Sequence, residues 1–203
     1  MLEAVNLSCA RGERRLFSGL NFSLAAGSFL QAFGPNGSGK TSLLRIVCGL
    51  TAPAVGEVRW DGTNIRRLGE EYFGAIAYVA HQNGVKDELN PIENLRISSG
   101  VAGNELSKRE AYTVLERVGL SKQKHLPARL LSAGQRRRLA LSRLLASRAR
   151  LWLLDEPLAS LDDDGATLAR NLISEHLSNG GMAIIATHQE MNLSAGQMQR
   201  IEL

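Results

Sequence analysis

Cysteine is nearly missing from this chain: Cys9 and Cys48 are the only two among 203 residues. They have no CxxC spacing and no neighbouring histidine. That argues against a disulfide scaffold or a thiolate metal site, and reads as two reduced, partly buried thiols of a cytoplasmic protein. Long apolar runs are missing too, since none approaches the roughly 18–20 residues that a membrane-spanning helix needs. Glu3, Arg11, Glu13, Arg14 and Arg15 leave no room for a signal-peptide core at the N-terminus. Any work at a membrane is therefore expected to pass through another subunit. Internal repeats and low-complexity stretches are absent, which excludes solenoids. Charge of one sign is scarce: 24 Lys and Arg against 20 Asp and Glu leave +4. So small an excess tolerates a phosphate ligand and does not call for nucleic acid. What remains is ordinary, with 44% hydrophobic and 22% charged residues, so disorder is excluded and the length suits one compact unit.

Periodicity sketches the organisation. Leu20–Leu24 alternates apolar and polar as a half-buried strand does, and Phe29–Phe33 resumes a strand after the turn at Ala25–Gly27. Lys40–Leu50 has helical spacing at Leu43, Leu44, Ile46 and Val47, and Gly56–Trp60 before Asp61-Gly62 reads as a strand and hairpin turn. Ala75–Ala80 predicts a short buried strand. Helices follow, with Asn90-Pro91 as a start signal and apolar spacing over Lys108–Val118. Leu151–Leu154 and Met182–Ala186 are continuous apolar strands of the kind a parallel sheet buries on both faces, with a helix near Ala166–Leu177 between them. The expectation is a single α/β unit over 1–203, with a core of about 1–82 and 151–203 and an inserted helical subdomain of about 83–150.

One loop carries chemistry on its own. Gly34, Pro35, Asn36, Gly37, Ser38, Gly39, Lys40 and Thr41 spell GxxxxGK[ST] in full, followed by Ser42. Glycines let successive backbone N–H groups face an anion, and the helix that follows offers its positive end. Lys40 adds a mobile charge for the β- and γ-phosphates, and the Thr41 hydroxyl is a hard oxygen suited to Mg²⁺. The predicted strand before the loop and helix after it supply the context this motif requires. Asp155 and Glu156 leave the C-terminal end of a buried strand, where open α/β sheets bind ligands. Asp155 suits the hydration shell of a bound Mg²⁺, and Glu156 is then free to polarise water as general base. A solvated acid pair in a loop is the plainer alternative. Leu131-Ser132-Ala133-Gly134-Gln135 precedes another helix, with Ser132 as natural N-cap. It is either a second anion site or simply a capped helix.

Taken in order, the phosphate loop, LSAGQ, LLDEP and a lone His188 after a buried strand resemble the ATP-binding cassette family across nearly the whole chain. The resemblance implies a P-loop NTPase core with a mixed sheet, an N-terminal antiparallel β subdomain and an inserted helical subdomain. It also implies that two copies pair head to tail as a homodimer, so that Ser132, Gly134 and Gln135 of one copy meet the ATP on the phosphate loop of the other. Gln82 matches the glutamine that senses Mg²⁺ and water, His188 the histidine that contacts the γ-phosphate and orients Glu156, and Asp162 a loop residue that reaches across the dimer. Ala133 stands where the family most often has glycine. Where the family usually stacks an aromatic ring on adenine, this chain has Arg11, whose planar guanidinium can stack instead; Phe17 is the lesser substitute. Arg136, Arg137 and Arg138 read as a solvated helix face or as contacts within the cassette, and not as a DNA-binding stripe.

The 15 residues after His188 and the 91-residue step from Thr41 to Ser132 suggest a single-cassette subunit serving separate membrane subunits. RRLFSGLNFSLAAGS, HQNGVKDELNPIENL and GGMAIIATHQ look most like the ATPase subunits of bacterial cytochrome c maturation (haem exporter) transporters. That likeness implies a peripheral ATPase on the cytoplasmic face of the inner membrane, with integral partner subunits and no nucleic acid. A subunit of another small importer or exporter, or a soluble non-transport ATPase, is the alternative.

Overall fold

Two patterns of burial build two sheets. The computed structural model describes residues 1–203. Along strand β1 (Leu2–Arg11) the side chains of Leu2, Ala4, Leu7 and Cys9 turn inward, and the alternation shifts phase at Asn6, whose φ is 50°. β1 pairs antiparallel with β2 (Arg14–Leu24) and β4 (Val55–Trp60), and β5 (Thr63–Asn64) completes a sheet of order β2-β1-β4-β5. One face is apolar and the other wet, as antiparallel sheets allow.

The second sheet has order β6-β7-β8-β3-β9 and every pairing in it is parallel. Its strands are β3 (Ser28–Phe33), β6 (Ile76–Val79), β7 (Leu151–Asp155), β8 (Met182–Thr187) and β9 (Gln197–Glu202). All of β7 and β8 is buried, because both sheet faces are covered. Leu151 and Leu153 pack toward the N-terminal sheet and helix α1 (Lys40–Val47), whereas Trp152 and Leu154 pack on the opposite face, toward the helices described next. The mixed strand directions of the molecule are thus divided between one antiparallel and one parallel sheet.

Helices α2 (Ile65–Leu68) and α3 (Glu70–Ala75) lead into β6. Helices α4 (Pro91–Val101), α5 (Lys108–Arg117) and α6 (Ala133–Leu145) fill the stretch before β7, and α7 (Asp163–Ser178) crosses from β7 to β8. Capping boxes at Asn90/Glu93, Ser107/Glu110 and Ser132/Gln135 start the three middle helices. Ile92, Leu95, Ala111, Leu115 and Leu139 form a separate apolar cluster. Helix α6 faces two ways: Leu139 joins that cluster, while Ala140, Leu141 and Leu144 pack with the parallel sheet.

Several elements differ from the sequence expectation: β2 begins at Arg14, ahead of Leu20, and β6 is half-buried except at Val79. α1 ends at Val47, just short of the expected stop at Gly49, with Cys48 as its C-cap. α7 begins at Asp163, ahead of Ala166, because the Asp162 carboxylate accepts the Gly165 N–H at 2.9 Å and caps it; in this chain that side chain serves its own helix. β9 carries almost no apolar pattern, since it is an exposed edge strand whose order comes from its ladder with β3.

Candidate functional site

The strand order sets the site. β7, β8 and β3 are neighbours, so Asp155, Thr187 and the loop after Phe33 emerge side by side; Asp155 and Ala32 both pair with Ala186, and Phe33 with Thr187. Their C-terminal ends open on a cavity of about 550 Å³, lined by Arg11, Arg14, Leu16, Asn36, Gly37, Gly39, Lys40, Thr41, Ser42, His81, Asp155 and Glu156.

Gly39 stands at the N-cap of α1 with φ 115°, and a Cβ there would lie 3.1 Å from Leu16 Cβ and 3.2 Å from the Phe17 ring. Both conformation and space require glycine. Phe17 is buried in that contact and its ring is unavailable for stacking on a base, whereas Arg11, paired with Arg14 across the β1–β2 hairpin, is exposed in the cavity wall. Lys40 is only 6% exposed. Its Nζ donates to the carbonyls of Gly34 at 2.6 Å and Pro35 at 3.0 Å, and lies 3.9 Å from Glu156 Oε1. The Ser38 hydroxyl is buried without a hydrogen-bond partner.

The Thr41 hydroxyl donates to Asp155 Oδ2 at 2.8 Å. Burial pushes the Asp155 carboxyl above the ordinary carboxylate range, against the pull of the Thr41 hydrogen bond and the His81 charge. Glu156 follows with φ 48°, a conformation that costs a non-glycine residue roughly 1–3 kcal/mol. Its N–H donates to the Ala186 carbonyl at 2.8 Å, which holds it there. One carboxylate oxygen accepts the Thr187 hydroxyl at 3.0 Å, and the other lies 3.0 Å from His188 Nδ1. Glu156 is therefore aimed from two sides while its carboxylate still borders the cavity.

Most expected residues meet here. Asn36, Gly37, Gly39, Lys40, Thr41, Ser42, Asp155 and Glu156 line one space, and Gly34 and Pro35 supply the carbonyls that hold Lys40. His188 is exposed and touches Glu156. Gln82 is exposed and stands outside the lining; its neighbour His81 is in the wall. Ser132, Gly134 and Gln135 do not border this cavity. Ser132 Oγ accepts the Gln135 N–H at 3.2 Å, and a Cβ on Gly134 would come within 2.9 Å of the Ser160 carbonyl. The capped helix end thus packs against the loop after Glu156 and presents Ser132 to the exterior.

Arg14, His81 and Thr187 were not read from the sequence as part of the site, and the burial of Arg137 was not singled out within its arginine run. Arg136 pairs with Asp87 at 2.6 Å and Arg137 is fully buried, so of the two readings of this run the structure bears out contacts within the cassette and not a solvated face. The signal was present: Arg137 lies on one helical stripe with Ala140, Leu141 and Leu144.

An anion loop at a helix N-terminus, a hydroxyl–carboxylate pair and a glutamate braced by histidine and threonine define a nucleotide-binding cassette ATPase. A model of the ABC transporter family matches residues 17–159. The chain belongs to that family and is an ATP-hydrolysing enzyme of it. Among its relatives, the cytochrome c biogenesis ATP-binding export protein CcmA of Nitrosospira multiformis is 54% identical over 202 residues, covering all of this chain and 98% of that one. A putative ABC transporter ATP-binding protein from Pyrococcus furiosus superposes with a TM-score of 0.85 at 25% identity, over 98% of this chain and 96% of that one. The dimeric structure of the bacterial ABC transporter cassette MJ0796 has the same fold, with a TM-score of 0.82 at 23% identity over 100% of this chain and 94% of that one.

Two outcomes follow from the geometry. Because burial raises the Asp155 pKa, the unfolded chain ionises first as pH rises, and folding stability falls through the window between the two titrations. Asp155→Asn is expected to raise the thermal midpoint of the nucleotide-free chain by a few degrees at about pH 7–8, with the gap closing below roughly pH 4, read by circular dichroism melts. Arg11→Ala is expected to weaken ATP binding about 2- to 30-fold through loss of stacking, in a fluorescent-nucleotide competition assay; unchanged affinity removes Arg11 from the base site.

Proposed function

We propose that this chain is the ATP-binding and ATP-hydrolysing subunit of a membrane ABC complex that serves cytochrome c biogenesis, by haem export or release of a haem-loaded chaperone. Full-length identity to a relative of that name supports the process. The observation that carries the mechanism is the separation of the two anion sites: Lys40, Thr41, Asp155 and Glu156 share one cavity, and Ser132 lies outside it. A second copy, turned head to tail, brings its Ser132, Gly134 and Gln135 to the triphosphate, and a dimeric cassette of the same fold is in keeping with that arrangement.

The chain's own groups do the following. Backbone N–H groups of the 34–41 loop and the N-terminus of α1 receive the phosphates. Lys40 exchanges its two carbonyl partners for phosphate oxygens, a stronger charge-assisted bond. Glu156, held by Thr187 and His188, orients water for attack on the γ-phosphate. The Thr41 hydroxyl and Asp155 carboxylate are hard oxygens 2.8 Å apart and fit Mg²⁺ carried with the nucleotide, with Gln82 on the adjoining loop. That ion supplies charge neutralisation on the transferring phosphoryl group.

No helix is long and apolar enough to cross a membrane. We take the chain as peripheral to the cytoplasmic face of the inner membrane, docked on integral subunits, with the core of about 1–82 and 151–203 driving a helical arm of about 83–150. A groove of about 700 Å³ between α3 and α4, with Phe73 and Val101 exposed at it, supports that side as the docking face.

Glu156→Gln is expected to bind ATP, form a stable dimer at saturating Mg-ATP by size-exclusion chromatography, and lose at least about 100-fold in kcat; a monomer under those conditions overturns the sandwich. Co-purification of the tagged chain from membranes is expected to recover integral haem-handling proteins. Recovery of an unrelated permease, or of ribosomes or DNA, overturns the assignment to cytochrome c biogenesis.

A further inference from the structure

Arg137 is 1% exposed and heads the fully buried side chains of the molecule by volume. It lies on the first turns of α6, two residues beyond Gln135. All five of its N–H groups are used. Nε donates to the Pro157 carbonyl at 3.2 Å. Nη1 donates to the Ala80 carbonyl at 2.9 Å and to Asn83 Oδ1 at 3.1 Å. Nη2 donates to the carbonyls of Asp155 at 2.6 Å and Glu156 at 2.8 Å. The guanidinium makes no ion pair within 4.0 Å, so the charge is held by carbonyl dipoles from two separate segments: Ala80 and Asn83 at the exit of β6, and Asp155, Glu156 and Pro157 at the exit of β7.

A rigid planar fork with five donors fits such a fan of acceptors as a lysine cannot. Because the guanidinium and its bonds to the Asp155 and Pro157 carbonyls are buried, moving α6 away strands the charge and those acceptors. Two further contacts make the tie stiff. Arg143, on the same helix, donates to the carbonyls of Asn83 and Gly84. Gly134 closes against the Ser160 carbonyl. The start of α6 and the backbone of the two catalytic acids therefore move as one body.

We propose that Arg137 is a positioning residue that couples the two nucleotide sites of the dimer: it transmits the seating of Ser132 and Gly134 on the partner's triphosphate to the carbonyls of Asp155 and Glu156 in its own site. The proposal rests on the two-chain reading above. It requires that binding through Lys40 and Thr41 be independent of Arg137, because neither residue touches it.

The test uses Arg137→Lys and Arg137→Gln in the full chain, with steady-state ATP hydrolysis and fluorescent-nucleotide binding measured together. In the intact protein the rate is expected to rise with ATP with a Hill coefficient above 1. Arg137→Gln is expected to lose at least about 10-fold in kcat, to keep nucleotide affinity within about twofold, and to bring the Hill coefficient to about 1. Arg137→Lys is expected to fall between the two, and it decides the matter where Arg137→Gln does not fold. Wild-type kcat and cooperativity in Arg137→Lys overturn the proposal. So does a parallel loss of binding and turnover, which marks a merely structural arginine, and so does a Hill coefficient of 1 in the unaltered chain. Failure of Glu156→Gln to dimerise sinks the two-chain reading itself; a dimer with an indifferent Arg137 sinks only the coupling.

Discussion

The parallel hydrogen-bonded ladder of β7, β8 and β3 is the constraint on which the rest depends. Three strands with both faces buried have to align their C-terminal ends, because each carbonyl and N–H in the interior needs a neighbouring strand as partner. That alignment delivers Asp155 and Thr187 to one edge together with the 34–41 loop, whose Thr41 is 114 residues before Asp155. Without it, Thr41 and Asp155 could not meet at 2.8 Å, and Glu156 would lose the Ala186 carbonyl that fixes its strained backbone. The site is a consequence of sheet geometry, to which the loop adds amides and one lysine.

Around that edge three ionisable groups are buried, each kept in a different way. Lys40 is held by loop carbonyls that a phosphate can displace. Asp155 carries the cost of desolvation and has the Thr41 hydroxyl as its side-chain partner. Arg137 is saturated by five acceptors and has nothing to exchange. The first two have partners that a more strongly charged group can replace, since charge-assisted bonds are stronger than those to neutral carbonyls and hydroxyls. The third is structural in its bonding yet sits between the helix end that faces outward and the acids that face inward. A surface arginine would lack that leverage, because exposed contacts are worth little and yield readily.

Helix α6 shows how one element serves two cores. Its Leu139 belongs with α4 and α5, and its Ala140, Leu141 and Leu144 with the parallel sheet. Packing on both sides leaves no free face along which the helix can slide. The helical segment and the ATP site are thus joined by apolar contact as well as by Arg137 and Arg143, a suitable basis for passing motion from nucleotide to partner.

Much of this was readable from residues alone. Continuous apolar strands announced a parallel sheet, GPNGSGKT specified an anion loop, and Ser132 specified a helix cap, because each depends on local stereochemistry and on contacts close in sequence. β9 was not readable, since an edge strand with little burial leaves no periodic trace. Nor was the wall formed by Arg14 and His81, whose side chains carry no pattern that says which way they face. The sequence by itself determined the chemical inventory: a glycine-rich anion loop with its lysine, a hydroxyl and a carboxylate, and a second acid with a histidine after the next buried strand. Only the tertiary structure decided which arginine of three is buried, that Thr187 shares the bracing of Glu156, and that Ser132 faces away from Lys40. Those are distances between chain segments far apart in sequence, and they exist only once the parallel ladder has closed.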